Sequence, residues 1–561
     1  MTASYIGHPS DGSHTYQDAE HQSYDMDNKN TVPDDGMEAE ALAAHERNLR
    51  RGLTQRHVSM IALAGAIGTG LFLSLGGSIA TGGPLGTLLG YFFIGLIVCC
   101  VQYALGEVTA FVPVTGSFVR HAELFCDPAL GFALGWNIVY GNFLSVPSEI
   151  TAICVLFGFW TDVTDVAWIL VFIFLTAVVG CLPIRYFGEE LTPLSQMEFV
   201  FAALKIMLVL GVILMGLIID LGGVKGVDRI GFRYWKNPGP FVEQYATGSL
   251  GNFLGFWSVL INAVFSFAGV ESIAMAAAET RNPRVAIPKA CKRVFARVTM
   301  FYILGVLVVG MLVPSNDPNL GDDSGTAATS PFVLAAQNAG IKAVPSIVNA
   351  VVITSAFSSS NQALLAGTRV LYGLALKGHA PRLFTKTTSW GTPICCVAIY
   401  VCMSFLSFMA LSDGAMTVFW WMVDLVGCGV LISWSAVLLN HVRLRYALHI
   451  QGIDARRLPW HNSWTPYTSA IGLFFCQLLL LTNGYSVFIK GNWSAAGFVT
   501  GYLDIALIFV GFFGWKFIKK TKWVTLADLP LDDILVAIEL NPDEAELPST
   551  GYIRYISWLW D

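Results

Sequence analysis

The chain has 561 residues, of which 54% are hydrophobic and 13% charged, and its mean hydropathy is +0.59. This composition excludes an ordinary soluble domain and a disordered chain, and it is typical of a polytopic α-helical membrane protein. The net charge of -6 reflects acidic residues concentrated in the terminal regions. The placement of Lys and Arg between the apolar stretches is therefore more informative than the total.

Apolar stretches of roughly 20 residues recur along the chain, and each is long enough to cross a bilayer. They are expected at 57–79, 84–111, 131–157, 166–185, 197–219, 251–278, 294–314, 344–376, 393–411, 416–441, 466–489 and 494–516. The sequence therefore predicts an all-α polytopic membrane protein with about twelve transmembrane helices. The short gap between the first two stretches predicts a tight hairpin.

The regions around these stretches divide the chain into three parts. Residues 1–50 are polar and acidic and are predicted to form a disordered cytoplasmic tail. Residues 51–520 are predicted to form the transmembrane domain, and residues 521–561 a second cytoplasmic tail. This second tail is acidic and then aromatic. We favour a partly ordered tail over one that lies on the membrane surface or against a cytoplasmic loop.

Lys and Arg are distributed unevenly between the two sides of the predicted domain. Four arginines precede the first stretch, namely Arg47, Arg50, Arg51 and Arg56. The loops that return to that side are rich in Lys and Arg, whereas the opposite side has fewer cations. Because cytoplasmic loops carry the excess of Lys and Arg, this pattern predicts that both termini are cytoplasmic.

Glycines interrupt two of the apolar stretches. The first contains A-G-A-I-G-T-G-L from Ala64 to Leu71, and the sixth contains F-S-F-A-G-V-E-S from Phe265 to Ser272. A membrane helix tolerates a break only where its freed backbone groups meet a polar ligand or a water-filled cavity. Splitting the first ten stretches five plus five puts a break at the start of each half, which predicts an inverted repeat with broken helices 1 and 6. Close helix contact through small residues is the alternative for the first segment.

The two breaks offer complementary groups to a ligand. Free N–H groups at the first break, around Thr69 and Gly70, suit a carboxylate. Carbonyls of Phe265 and Ala268 at the second break suit an ammonium group, and the Phe265 ring could cover the ligand. A molecule with both groups on one carbon is an α-amino acid.

Ionisable residues inside the stretches are few, and such residues are functional by default. Glu149 lies in the third stretch, Glu271 follows the second break, and Lys205 lies in the fifth. Lys205 is predicted to exchange a proton, with a lysine that extends to the membrane surface as the alternative. Weaker candidates are Glu107, Asp424 and Asp504, and in the polar run 355–362 we expect Ser358 and Asn361 to contact a ligand.

The chain has no phosphate-binding loop, metal-ligand cluster or nucleophile constellation. We therefore predict a transporter rather than an enzyme, with no cofactor, no metal and no nucleic-acid partner. Its partners would be an amino acid, a proton and the lipid bilayer. Coupling must then come from an ion gradient or from exchange.

Several motifs give the chain a family resemblance over roughly residues 50–525. They are R-H-V-S-M-I-A-L-A-G-A-I-G-T-G-L from Arg56, T-G-G-P from Thr81, A-L-G-E-V from Ala104, F-S-F-A-G-V-E-S from Phe265 and A-E-T-R-N-P-R-V-A-I-P-K-A from Ala278. With these, the chain resembles the fungal amino-acid permeases of the amino acid–polyamine–organocation superfamily. The resemblance implies the broken-helix inverted repeat.

The resemblance also implies roles for individual residues. Thr69 and Gly70 would hold the substrate carboxylate, and Phe265 and Ala268 would hold the ammonium together with Ala66. Phe265 would be the gating aromatic. Lys205 would be the lysine linked to proton coupling.

The loops resemble the dicarboxylic branch of that family, through D-R-I-G-F-R-Y-W from Asp228, K-G-H-A-P-R-L-F from Lys377, W-G-T-P from Trp390 and Q-G-I-D from Gln451. They favour aspartate or glutamate as substrate. Glu149 stands where that branch carries an uncharged amide, and it would repel a second carboxylate unless it is protonated or paired with Lys205. The expected function is proton-coupled amino-acid symport across the plasma membrane. The alternatives are a broad-range or neutral permease, an exchanger without proton coupling, and an amino-acid sensor that does not transport.

Overall fold

Helices make up nearly all the regular structure in the described part of the chain. The computed structural model describes residues 68–114, 116–161, 163–181, 193–275, 277, 280, 282–320, 330–388 and 391–540, without the side chains of 193–199 and 294–298. The main helices are α1 Leu75–Phe111, α2 Ser117–Phe125, α3 Pro128–Phe157, α4 Asp165–Cys181, α5 Pro193–Asp220, α6 Ser249–Ser266, α7 Ser272–Met275, α8 Pro283–Leu312, α9 Pro331–Asn338, α10 Val344–Leu376, α11 Ile394–Ser404, α12 Ala415–Ile450, α13 Thr465–Thr482, α14 Ala495–Lys519 and α15 Leu531–Leu540. Shorter elements are a π-helical turn Gly70–Ser74, α-helical turns Arg233–Lys236 and Ala410–Asp413, and 3₁₀ turns Arg382–Thr385, Phe405–Met409, Ala455–Arg457, Tyr485–Phe488 and Leu526–Asp528.

The predicted all-α polytopic fold is confirmed. Within the described residues, eight helical stretches are long and apolar enough to cross a membrane, and Asp165–Cys181 and Thr299–Leu312 are shorter apolar helices. One of the eight, Gly70–Phe111, contains both the first and the second predicted segments. Together with the more polar helix α10, these helices account for all twelve predicted segments.

The predicted hairpin between the first two segments lies at Gly83. Its backbone angles are φ 73° and ψ 172°, so α1 consists of two helices that meet at a sharp bend. The Thr87 hydroxyl donates to the Ser78 carbonyl over 2.9 Å. Nine residues of straight helix would separate these groups by about 13 Å, so the chain must fold back here. A glycine is required, because a β-carbon at this position would lie 2.8 Å from the Cα of Phe241.

The second predicted break is also confirmed. Helix α6 ends at Ser266, and the chain passes through Gly269 at φ 91° before α7 begins at Ser272. At the first predicted break, residues 64–67 lie outside the described part of the chain. The description begins with Gly68 in a bend, and the helix then starts as the π-helical turn Gly70–Ser74.

Burial distinguishes the centre of the helical domain from its periphery. Most of α12 is buried, whereas little of α14 is buried. The exposed face of α14 carries large apolar side chains such as Phe509, Val510 and Phe517. An apolar exposed face of this kind is suited to contact with lipid.

The first part of the C-terminal tail is packed onto the helical domain. Leu526, Leu529, Leu531 and Leu535 are buried together with Phe111, Phe125, Leu444 and Leu448 at the ends of α1, α2 and α12. The Gln451 side-chain amide donates to the carbonyls of Leu526, at 2.8 Å, and Leu529, at 2.9 Å. Residues 521–540 therefore form part of the folded domain. The N-terminal tail 1–50 and residues 541–561 lie outside the described residues.

Candidate functional site

The two broken helices meet inside the domain. Gly70 lies against Ser266, and the hydroxyl oxygens of Ser74 and Ser266 are 3.4 Å apart. Tyr91 from α1 adds a third hydroxyl, 2.9 Å from that of Ser266. All four residues are buried, so the junction is a polar contact within the interior.

Glu149 reaches the start of the first helix. The Thr69 hydroxyl donates to Oε1 of Glu149 over 3.3 Å. Thr69 is fully buried and Glu149 is 6% exposed. Its other oxygen, Oε2, makes no hydrogen bond within the described part of the chain. Helix α3 thus places a buried carboxylate with unused acceptor capacity beside the first break.

Lys205 approaches the same place from α5. Its side chain is 1% exposed, and Nζ donates to the Ser359 hydroxyl over 3.3 Å. Lys205 is also the charged group that acts electrostatically on Glu149. A β-carbon on Gly68 would lie 3.5 Å from Ser359 Oγ and 3.8 Å from Glu149 Oε1. The four residues Thr69, Glu149, Lys205 and Ser359 therefore surround Gly68, and we call them the break-1 cluster.

Sequence reasoning missed Ser359, although it identified the polar run around it. Three consecutive serines at 358–360 give no indication of which one faces the first helix, because that depends on the rotation of α10. Asn361 and Ser358 are both buried, and Asn361 Oδ1 and Ser358 Oγ make no hydrogen bond among the described residues. Residues two apart on a helix point about 200° apart, so Asn361 does not share the face of Ser359. A substrate contact by Asn361 stays a prediction.

Phe265 is placed at the end of α6, as predicted. Its ring is 8% exposed and meets the Phe419 ring of α12 edge-to-face at 6.2 Å. Phe267 points elsewhere, because its fully buried ring packs against Tyr302 at 4.6 Å. Of the two phenylalanines at the break, only Phe265 keeps some exposure.

The unwound backbone at the second break has internal partners. The Phe265 carbonyl accepts the N–H of Ala268 over 3.0 Å, and the N–H of Phe267 also points toward it. Tyr302 donates to the Ser266 carbonyl at 2.6 Å, and Gln102 donates to the Val270 carbonyl at 2.8 Å. These side chains come from distant helices and satisfy carbonyls that a break frees. No local sequence signal could have identified them.

Other ionisable candidates lie apart from the break-1 cluster. Glu271 accepts a hydrogen bond from the Trp434 indole N–H over 3.2 Å. Glu107 is fully buried and pairs with His441 at 3.0 Å and with the Arg445 guanidinium. This pairing gives Glu107 a structural role at one end of the domain. Asp424 and Asp504 lie between α3, α12 and α14. Ala66 lies outside the described residues.

A polytopic bundle of apolar helices with two internal breaks and a buried polar cluster at one of them defines a membrane transporter of the broken-helix class. The chain belongs to the amino acid permease family, whose family model, described as "Amino acid permease", matches residues 57–527. It is a multi-pass membrane protein of a transporter family.

Two relatives of this chain are named for different substrates. The chain is 36% identical over 491 residues to the dicarboxylic amino acid permease of Saccharomyces cerevisiae, which covers 86% of this chain and 79% of the relative. It is 38% identical over 483 residues to the proline-specific permease of Emericella nidulans, covering 85% and 86%. The confirmed family resemblance therefore does not by itself select a substrate.

A solved structure shares the fold. It is the crystal structure of the Eremococcus coleocola manganese transporter in complex with an aromatic bis-isothiourea substituted compound, with a TM-score of 0.52 and 12% identity, covering 87% of this chain and 96% of that one. At this identity the likeness shows the fold alone. Among the residues described here, no group of three or more His, Cys, Asp or Glu is arranged to hold a metal.

Proposed function

We propose that this protein is a plasma-membrane symporter that moves amino acids together with protons and slightly prefers acidic amino acids. The observation that carries the proposal is the break-1 cluster. There, the buried carboxylate of Glu149 and the buried ammonium of Lys205 act on each other beside Gly68. Buried charges inside a membrane protein are costly and are typical of ion pathways.

The substrate would bind between the two breaks. The backbone around Thr69 and Gly70 begins a helix, so its N–H groups and the positive end of the helix dipole favour the substrate carboxylate. The carbonyls of Phe265 and Ala268, with Ala66, would accept the ammonium group. The Phe265 ring, placed at the end of α6, would close over the ligand.

The proton would act on the break-1 cluster. A protonated Lys205 holds Ser359 and balances the Glu149 charge, which fixes α5 and α10 near the first helix. Loss of the proton removes that attraction, so the two protonation states favour different helix arrangements. A difference of this kind shifts the population of conformations and couples the proton to transport.

The pairing of Glu149 with Lys205 supports an acidic substrate. An unpaired carboxylate beside the site would repel the second carboxylate of aspartate or glutamate. When the ammonium of Lys205 offsets that charge, the repulsion falls, and the resemblance of the loops to the dicarboxylic branch can then decide the preference. The uneven placement of Lys and Arg supports cytoplasmic termini.

Uptake of radiolabelled amino acids by a permease-deficient fungal strain tests the proposal. We expect aspartate uptake that rises as the external medium is acidified, that a protonophore abolishes, and that glutamate competes more strongly than neutral amino acids. Uptake unaffected by the protonophore would indicate an exchanger. Stronger competition by neutral amino acids would indicate a broad-range permease, and substrate binding without uptake would indicate a sensor.

A further inference from the structure

Two carboxylates are placed inside the domain at a distance from the break-1 cluster. Asp424 lies nine residues into α12, and Asp504 lies nine residues into α14. Nine residues of helix span about 13 Å, which is close to half of a 30 Å hydrocarbon layer. Both carboxylates therefore lie about 13 Å inside helices that are long and apolar enough to cross a bilayer.

Asp504 is buried without a cation. It is 1% exposed, neither carboxylate oxygen has a hydrogen bond of normal geometry within the described residues, and the Tyr140 hydroxyl lies beside it as a donor. From α12, Gly429 faces it so closely that a β-carbon there would lie 3.5 Å from Oδ2. From α3, its neighbours are Tyr140 and Asn137, and the Asn137 amide is held by the Gly429 carbonyl at 3.0 Å.

The remaining groups around Asp504 are also neutral or acidic. Cys428 on α12 lies beside both carboxylates and accepts a hydrogen bond from the Asn483 amide over 2.9 Å. Asp424 lies beside Thr500 of α14. No Lys, Arg or His within the described ranges pairs with Asp504. An ionised carboxylate in such a place costs several kcal/mol, whereas a proton removes the charge.

The second carboxylate lies at the edge of this buried region. Asp424 is only part-buried, and it precedes Cys428 by one turn of α12. Thr500 likewise precedes Asp504 by one turn of α14. The two carboxylates thus lie about one helical turn apart, and the more exposed Asp424 is nearer to the N-terminal ends of α12 and α14.

Helix α12 also connects this place to the second break. Its Phe419 ring meets the Phe265 ring, and its Trp434 donates to Glu271. Both contacts are on the helix that carries Asp424 and Gly429. A change in how α12 packs on α14 would therefore reach the proposed gate directly.

We propose that Asp504 is a proton-binding site separate from the substrate site and that Asp424 passes the Asp504 proton to and from water. Protonation of Asp504 then biases the packing of α12 and the position of the Phe265 gate. A proton from water binds a lone pair of the Asp504 carboxylate and later returns to water through Asp424, so charge and atoms balance. The neutral form allows α12 and α14 to pack as observed. The anionic form favours an arrangement that admits water. The effect on the gate rests on the proposed function, whereas proton binding does not.

Infrared difference spectroscopy of the full-length protein in lipid nanodiscs tests proton binding. We expect the carbonyl stretch of a protonated carboxylic acid in the wild type, its loss in Asp504→Asn, and its retention in Asp413→Asn, which removes an exposed acid. The wild-type band should decrease at alkaline pH and shift after transfer to D₂O. In Asp424→Asn that isotope shift should be at least about tenfold slower.

Specific results would overturn the proposal. A full band in Asp504→Asn would place the protonated acid elsewhere. A wild-type band that changes neither with pH nor after transfer to D₂O would mean that Asp504 keeps its proton permanently and has only a structural role. The pH and D₂O responses are measured on the wild type, so this second outcome does not depend on how the variants fold.

The link to transport has its own test. Asp504→Asn should bind radiolabelled amino acid within about threefold of the wild type while the pH dependence of its uptake becomes flatter. An unchanged pH dependence in this variant would overturn the link to the gate. If the wild type itself shows no pH dependence but its infrared band titrates, the proposed symport fails while the proton site stands.

Discussion

Gly70 lies directly against Ser266, where the two broken helices meet. A β-carbon on Gly70 would lie 2.6 Å from the Cα of Ser266 and 2.9 Å from its hydroxyl oxygen. Such a contact with backbone requires one helix to move. The Ser266 carbonyl is held by the Tyr302 hydroxyl at 2.6 Å, which resists that movement. The glycine is therefore required for contact between the helices, whatever its N–H binds.

Gly70→Ala should reduce uptake at least about tenfold and lower the free energy of unfolding by about 1–3 kcal/mol through overpacking. Gly141→Ala is the matched control, because nothing lies within 4 Å of a β-carbon at that position of α3. Uptake by cells and thermal unfolding of the purified protein check this. Equal behaviour of the two variants would show that the junction tolerates a methyl group. Gly70→Val should abolish uptake.

The two phenylalanines at the second break should respond differently to truncation. Phe265→Ala should weaken substrate affinity and selectivity and should cost less stability than Phe267→Ala, because the Phe265 ring keeps 8% exposure whereas the Phe267 ring keeps none. Phe267→Ala should cost about 3–5 kcal/mol of stability, because its ring is fully buried against Tyr302. Competition assays and thermal unfolding separate the two effects. If substrate affinity and selectivity are unchanged in Phe265→Ala, the ring contributes to packing and does not act as a gate.

Most of the fold could be predicted from local sequence, whereas the contacts of the site could not. Apolar length alone located the membrane segments, and Gly269 marked the second break, where the chain takes a φ of 91° between α6 and α7. The polar partners Gln102, Tyr302 and Ser359 come from helices far away in sequence. Which face of each helix turns inward depends on tertiary packing, so no local pattern reveals these contacts.

Glu149→Gln should raise the ratio of aspartate uptake to neutral amino-acid uptake about tenfold, equivalent to about 1.4 kcal/mol. The substitution removes a negative charge and leaves the Lys205 ammonium without compensation, and both changes favour an anionic substrate. The amide oxygen can still accept the Thr69 hydroxyl, so the local structure is kept. Glu149→Asp preserves the charge and should preserve the ratio. An unchanged ratio in Glu149→Gln would mean that its charge does not act on the substrate.

Lys205→Ala should abolish pH-dependent accumulation while some substrate exchange survives. Ser359→Ala should have a milder effect. Its uptake should fall about fivefold to tenfold, which corresponds to about 1 kcal/mol for the loss of one hydrogen bond. Ser360→Ala is the control on the same helix, since its buried hydroxyl makes no hydrogen bond within the described residues, and its uptake should stay near that of the wild type. Uphill uptake with normal pH dependence in Lys205→Ala would exclude Lys205 as the proton group.

The attachment of the C-terminal tail should depend on Asp127. This residue caps α3 by accepting the Ala129 N–H, and its carboxylate also accepts hydrogen bonds from Lys516 and from Thr521 of the tail. Burial alone raises the pKa of Asp127, but the hydrogen bonds from Lys516, Thr521 and Ala129 lower the pKa by more, so the net pKa is below its ordinary value. The stabilisation is therefore present above the unfolded pKa and is lost as pH falls through the folded one. Below about pH 4 the tail should loosen.

Asp127→Asn tests the attachment at neutral pH. Asparagine keeps the helix cap but cannot form the ion pair with Lys516. Hydrogen exchange followed by mass spectrometry should show faster exchange in residues 521–540, starting at Val524, whose N–H donates to the Cys126 carbonyl over 2.8 Å. Asp317→Asn is the control, because Asp317 also accepts a nearby backbone N–H but is only part-buried and makes no hydrogen bond to the described part of the tail. If exchange in 521–540 is the same in both variants, the Lys516 ion pair does not hold the tail, and the buried leucines alone account for its docking.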